Sequence, residues 1–112
     1  MAWIEWLSVY GATGFIGSHY TQKYHNNFII NRDKVEPASD DVLYFISTTD
    51  NYNVLTDVHI DIDTNLTHLV SVLDAWKKKN PNGVFNFISS WFVYGDTELP
   101  AKETSYCNPK GF

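Results

Sequence analysis

Three glycines spaced three residues apart follow directly after an apolar run near the start of the chain. They are Gly11, Gly14 and Gly17, in the stretch GATGFIG. The run before them, residues 3–10, is dense in aromatic and β-branched side chains and predicts a buried strand. After them, apolar side chains at four-residue steps predict a helix over residues 15–25. A strand, a glycine turn and a helix in this order indicate an α/β fold.

The rest of the chain continues this alternation. Apolar runs of strand length and one long helical period follow, with a polar loop over 32–41 and a second turn-rich loop after residue 47. Acidic and capping side chains at Asp61, Asp63 and Thr64 predict the start of the long helix. The predicted order β-α-β-β-α-β gives a parallel sheet of about four strands, covered on both faces. The later elements are strands at 28–31, 42–47 and 84–89, a helix from about 61 to 79, and polar coil from about 96.

The length and composition exclude several classes of protein. The 112 residues, 44% of them hydrophobic, form one domain with a packed core. A net charge of −5 argues against a nucleic-acid or anionic-membrane binder. The single cysteine, Cys107, precludes an internal disulfide, and no metal-ligand spacing is present. Without a signal peptide or a membrane-span-length apolar run, we expect a cytoplasmic protein.

The glycine turn has a chemical interpretation and a plain one. A glycine at the end of a strand permits a tight turn, a second lets a pyrophosphate approach the backbone, and a third lets the helix pack closely. The helix amino terminus then offers free N–H groups to the anion. The usual spacing is G-x-G-x-x-G, whereas here it is G-x-x-G-x-x-G. The alternative is a small-residue packing turn without a ligand.

The end of the second predicted strand bears on the choice of cofactor. About 20 residues after the first glycine, an NAD site places an acid for the ribose hydroxyls. This chain has Asn31 there, followed by Arg32 and Asp33. Arg32 suits a 2′-phosphate and favours NADP, but Asp33 is within reach of a ribose, so both NAD and NADP stay open.

Four stretches taken together resemble one family. They are GATGFIG, VLYFIST, TNLTHLVSVLDAW and FISSWFVYG, and they occur in that family's order over almost the whole chain. The chain is similar to the extended short-chain dehydrogenases/reductases, which are NAD(P)-dependent epimerases, dehydratases and reductases of sugar nucleotides. The resemblance implies a truncated Rossmann-like three-layer α/β domain over residues 1–112.

The resemblance also implies roles for individual residues. The three glycines match the pyrophosphate turn, and the backbone at Thr13, Phe15 and Ile16 would face the phosphates. Ser47 and Thr48 match the strand end that lines the adenosine and ribose side. Asn65 matches an asparagine near the active site, and Ser90 matches the catalytic serine that bonds the substrate oxygen.

The chain departs from the family at the catalytic base. The family uses a tyrosine with a lysine four residues later, typically more than 20 residues after the serine; the lysine lowers the tyrosine pKa. Tyr106 and Lys110 have this spacing, but Pro109 between them disfavours a helix. The stretch between the second and third strands is short as well, so the usual helix and strand there are missing.

These observations leave hypotheses from different classes. In the first, the chain is the cofactor-binding part of a nucleotide-sugar enzyme, with negligible turnover by itself. In the second it is a stand-alone dinucleotide or nucleotide binder, and in the third an interaction domain that kept only the fold. Because a truncated sheet leaves an open edge and an uncovered face, we also expect that the chain could form a homodimer.

Overall fold

The computed structural model describes residues 6–49, 52–96 and 100–109. Within them, four short strands alternate with helices, and a π-helical segment joins the third helix to the fourth. The strands are β1 (Leu7–Tyr10), β2 (Asn27–Ile30), β3 (Asp41–Tyr44) and β4 (Phe85–Phe87). The helices are α1 (Phe15–Lys23), α2 (Asn53–Thr56), α3 (Val58–Asp61), the π segment Ile62–Thr67, α4 (His68–Lys78) and a 3₁₀ turn, Trp91–Tyr94.

The four strands form one parallel sheet in the order β2-β1-β3-β4. Alternate residues of the strands point to opposite faces. On one face, Val9 and Leu43 pack near Tyr20 of α1. On the other, Tyr10 and Tyr44 pack with Val72 of α4. Helices therefore cover both faces, and the predicted three-layer α/β architecture with four parallel strands is confirmed.

The connection between β2 and β3, residues 31–40, contains no helix or strand. It lies on the face of α4, where side chains of the sheet and of the helix hold its backbone. Tyr10 Oη donates to the carbonyl of Val35 at 2.7 Å, and Trp76 Nε1 donates to that of Asp40 at 2.7 Å. The predicted loop is confirmed, and β2 is consequently an edge strand of the described sheet.

The start of the long helix differs from the prediction. Helical structure begins at Val58, and Asp57 caps it by accepting a hydrogen bond from the His59 N–H at 3.0 Å. Asp57 has the extended backbone that a cap requires, whereas Asp61 is already helical. The expectation that Asp61, Asp63 and Thr64 begin the helix is therefore wrong.

Two strands also end earlier than the apolar runs predicted, while β2 keeps its predicted length and begins one residue earlier. β3 ends at Tyr44 and β4 at Phe87, although the apolar letters continue beyond both. β1 begins at Leu7, and the prediction for residues 3–5 lies outside the described residues. Residues 53–56 form a single helical turn, and of these only Asn53 belongs to the loop predicted after residue 47.

Candidate functional site

The glycine turn joins β1 to α1 at the carboxyl edge of the sheet. Gly11 has φ +84°, a left-handed conformation that glycine adopts without cost. A Cβ on Gly11 would lie 3.1 Å from backbone atoms of Phe45 and Ile46, and one on Gly17 would overlap the Gly11 carbonyl. A Cβ on Gly14 would meet only the Gly11 carbonyl oxygen, at an ordinary 3.5 Å. Two glycines are therefore required by packing, while Gly14 leaves open space beside the turn.

The first turn of α1 presents its backbone to that open space. Gly14 is the N-cap residue and supplies no side-chain cap. The N–H groups at the start of a helix lack partners within the helix, and the helix dipole adds a partial positive charge there. Thr13, Phe15 and Ile16 are all exposed around it. The arrangement suits a phosphate or pyrophosphate.

A cavity of about 440 Å³ opens at the same edge of the sheet, on the side of α4. It lies between the residues that follow β2 and β3 and the segment that leads into α4. Ile46 lines it, and the Ile46 backbone nitrogen lies 3.1 Å from the place that a Cβ on Gly11 would take, so the cavity is near the glycine turn although no residue of the turn lines it. Its volume is in the range of small-molecule sites. Its polar lining includes Arg32, Ser47, Thr48, Asp63, Thr64 and His68.

Three of the residues singled out in the sequence thus meet in one cavity: Arg32, Ser47 and Thr48. Arg32 brings a permanent positive charge and a fork of donors that matches phosphate oxygens. Ser47 and Thr48 bring hydroxyl groups that both donate and accept. The cavity can therefore hold a polar ligand that carries an anionic group.

Asn65 lies in the π-helical segment and acts on the cavity through Thr48. Its Oδ1 accepts from the Thr48 N–H at 2.8 Å, and its Nδ2 donates to Thr48 Oγ1 at 2.9 Å. These two bonds fix the strand-end loop against the helix 17 residues further along the chain. Asn65 does not line the cavity itself. It holds Thr48, which does line the cavity, in place.

The structure places the remaining predicted residues elsewhere. Asn31 is exposed, and its carbonyl accepts from the Lys34 N–H at 3.0 Å in a turn beside the cavity. Ser90 follows β4 at the carboxyl edge, where its Oγ accepts from the Phe92 N–H at 3.2 Å. Neither lines the cavity. Tyr106 is 81% exposed in irregular chain, and Lys110 lies outside the described residues.

His68 is a cavity residue that the sequence analysis missed. It lines the cavity, and its Nε2 is buried without a hydrogen-bond partner among the described residues. Its ring lies 6.4 Å from that of the buried Tyr44. Thr64, His68 and the fully buried Val72 recur at four-residue steps, so they share the side of the helix that faces the sheet. Val72 lies in the core, and the polar side chains of Thr64 and His68 continue the same side to the cavity. That spacing was readable in the sequence.

Two buried tyrosines lie beneath this edge. Burial raises the pKa of Tyr44 to about 12. Burial, with Tyr44 and Glu36 nearby, raises the pKa of Tyr10 further. Both hydroxyls therefore remain neutral at ordinary pH.

Among the described residues, no three His, Cys, Asp or Glu side chains gather to hold a metal ion. In the same ranges, no helix has the length and apolar character needed to cross a membrane.

The fold is similar to that of a solved structure. RMD from Pseudomonas aeruginosa, solved in complex with NADPH, superposes with a TM-score of 0.71 and 24% sequence identity. The match covers 93% of this chain and 41% of RMD, so the chain spans about two-fifths of that protein's length. No protein-family model and no curated protein matches the sequence. The likeness establishes a Rossmann-like α/β fold for the chain.

Proposed function

We propose that this chain binds a nicotinamide dinucleotide across the carboxyl edge of its sheet, with NADPH as the preferred form. The glycine turn is the observation that carries this proposal. Gly11 lies so close to the residues after β3, and Gly17 of α1 so close to Gly11, that only glycine fits at these two positions, while the third leaves the helix amino terminus open. A closely packed turn together with an accessible helix amino terminus suits a pyrophosphate.

The cavity supplies the second half of the proposed site. Arg32 would hold a 2′-phosphate there, and Ser47 and Thr48 would hydrogen-bond a ribose or base. RMD, with the same fold, was solved with NADPH. That observation and the charge of Arg32 support NADP rather than NAD.

We further propose that the chain is the cofactor-binding part of a nucleotide-sugar epimerase, dehydratase or reductase. Bound there, the cofactor would supply hydride chemistry. Ser90 stands at the carboxyl edge, where it would hydrogen-bond a substrate oxygen, as the family resemblance suggests. Tyr106 lies in irregular chain and is largely exposed, which does not suit a positioned catalytic base. The 112 residues by themselves would therefore bind the cofactor without turning over a substrate.

A second candidate is a stand-alone dinucleotide binder without catalysis. The same two features favour it, because neither the glycine turn nor the cavity requires a catalytic base. The two candidates differ only in whether further polypeptide completes a substrate site. Measured oxidoreductase activity from the purified 112 residues would contradict the proposed lack of turnover.

Calorimetric titration with NADPH and NADH tests the proposed site. We expect wild type to bind NADPH more tightly than NADH, and Arg32→Ser to weaken NADPH binding by roughly 10- to 100-fold, since a hydrogen bond to a charged group contributes about 1.5–3 kcal/mol. NADH binding should change by less than about twofold, because NADH lacks the phosphate that Arg32 would contact.

Lys34→Ser is the matched control. It removes a cation two residues away that does not line the cavity, so NADPH affinity should hold. No heat of binding with either cofactor at millimolar concentration would refute the cofactor proposal. An equal loss for NADPH and NADH in Arg32→Ser would refute the contact with the 2′-phosphate.

A further inference from the structure

The outer side of the edge strand β2 presents backbone hydrogen-bonding groups that no described strand meets. Its one neighbour among the described strands is β1, with which it pairs in parallel. The Leu7 N–H donates to the Asn26 carbonyl at 3.2 Å, and the ladder to β1 continues at every second residue of β2. The N–H and C=O groups of Asn27 and Ile29 therefore point away from the sheet.

The connection that follows β2 is held elsewhere. Over residues 31–40 it crosses β1 on the face of α4, where Lys79 Nζ donates to the Pro37 carbonyl at 2.9 Å. The Ala38 N–H donates to Ser8 Oγ, also at 2.9 Å. Because these bonds tie the connection to β1 and α4, it does not fold back along the outer side of β2.

This edge is apolar on both faces of the sheet. Ile29 is 57% exposed on the face of α1, and Phe28 is 39% exposed on the face of α4. The ring of Phe28 lies 5.0 Å from that of the exposed Trp6. β2 contains neither a charged residue nor a proline, which are the residues that commonly protect an edge strand from pairing. The strand is therefore suited to pair with another strand.

We infer that β2 pairs antiparallel with β2 of a second copy, about a two-fold axis through Phe28, so that the two four-stranded sheets become continuous. In this register Asn27 lies opposite Ile29 of the second copy, and each such pair exchanges two hydrogen bonds. Phe28 lies opposite its own counterpart in a close pair without hydrogen bonds, where aromatic side chains stabilise a sheet. A second copy fits this edge because the outward groups are symmetric about Phe28, so the strand is complementary to itself when reversed.

The pairing is independent of the proposed cofactor site. Because the paired strands run in opposite directions, the carboxyl edges of the two sheets face opposite ends of the dimer. The paired strand ends at Ile30, before Arg32 and the cavity. Each copy therefore keeps its own glycine turn and cavity, and failure of NADPH binding would leave the dimer untouched.

Sedimentation equilibrium on the 112-residue chain and on Ile29→Pro tests the pairing. We expect wild type to be a dimer, twice the 12.9 kDa of one chain. Proline at this position removes an N–H that points out of the sheet, so the bonds to β1 remain. The dissociation constant should rise roughly 10- to 100-fold, because about half of the hydrogen bonds between the copies are lost.

Ile29→Val is the matched control, since it keeps both the N–H group and a β-branched side chain. Its dissociation constant should stay within about twofold of the wild-type value. A wild-type chain that is monomeric would overturn the inference, as would a dimer that is equally tight in Ile29→Pro.

Disulfide trapping tests the register without the proline variant. In a Cys107→Ser background, Phe28→Cys places two thiols opposite each other at the axis, at a separation that a disulfide can span. We expect mild oxidation to convert most of the chain to a covalent dimer. Phe87→Cys is the matched control, because it makes the same change at a 52% exposed residue of β4, the opposite edge. Phe28→Cys that is trapped no faster than Phe87→Cys would overturn the inference.

Discussion

At the scale of single residues, three glycines that look equivalent in the sequence have different physical roles. Gly11 needs its positive φ and close backbone neighbours, and Gly17 needs the absence of a Cβ. Gly14 has φ −74° and room for a methyl group. Packing within the protein would therefore allow a side chain at Gly14, yet the residue is glycine. A bound ligand that needs this space would explain why.

Gly17→Ala should destabilise the fold severely. The new methyl group would overlap the Gly11 carbonyl oxygen and lie 2.8 Å from its carbon and 3.0 Å from Ala12 Cα. All three atoms belong to the backbone, so α1 must move, and we expect a loss of about 3 kcal/mol or more in the free energy of unfolding. Urea denaturation measures it. A loss below about 1 kcal/mol would mean that the turn relaxes freely.

Residue-scale prediction from sequence succeeded where the signal was local. The spacing of the glycines after an apolar run predicted the turn, because the turn geometry depends on those residues alone. The pairing of Asn65 with Thr48 was not predictable, since it joins residues 17 positions apart through the fold. His68 was missed, although its four-residue spacing from Thr64 and Val72 places it on the inner face of the helix.

At the scale of elements, the order and type of the main helices and strands followed from hydrophobic periodicity. Their ends did not, because tertiary contacts decide them. The connection over residues 31–40 was predicted as loop from its polar composition. Its path is set by Tyr10, Ser8 and Trp76, which bond its backbone from β1 and α4. These partners are 25 to 36 residues away, and no local pattern points to them.

The start of the long helix gives a similar lesson. Several acids precede and enter it, and each is a plausible cap by composition. The extended backbone at Asp57 decides among them, with a φ of −152° and a side chain aimed at the His59 N–H. The π-helical turns that follow place Asn65 opposite Thr48, and nothing in the sequence pattern indicated them.

At the scale of the whole molecule, two cores on opposite faces of a four-stranded sheet hold the domain together. The larger one contains Tyr10 and Tyr44, whose rings lie 5.6 Å apart and are almost wholly buried. Tyr10 donates its hydroxyl hydrogen to Val35, whereas Tyr44 Oη has no partner among the described residues. A core built on neutral phenols should be sensitive to alkaline pH.

We expect the free energy of unfolding to fall as pH rises from about 10 to about 12. An unfolded tyrosine ionises near pH 10, whereas burial raises the pKa of Tyr44 to about 12 in the folded chain. Within that window the folded state holds the proton that the unfolded state has lost, so stability decreases with pH. Tyr10 acts in the same direction. Thermal melts at half-unit pH steps measure this.

Tyr44→Phe is the control for the alkaline effect. It keeps the ring and removes the ionisable hydroxyl, so the decline in melting temperature with pH should be shallower than in wild type. Equal slopes for the two proteins would contradict the role given to Tyr44. A wild-type stability that stays flat up to pH 12 would contradict the burial argument as a whole.

The central claim, that the glycine turn exists to admit a pyrophosphate, is tested most directly by NADPH titration of Gly14→Ala. Its methyl group makes only an ordinary 3.5 Å contact within the protein, and alanine at this φ should leave stability unchanged or raise it slightly. The same methyl group would block close approach of the phosphate to the helix start. We predict a folded variant whose NADPH affinity falls at least roughly tenfold. A folded Gly14→Ala that binds NADPH as tightly as wild type would contradict the account.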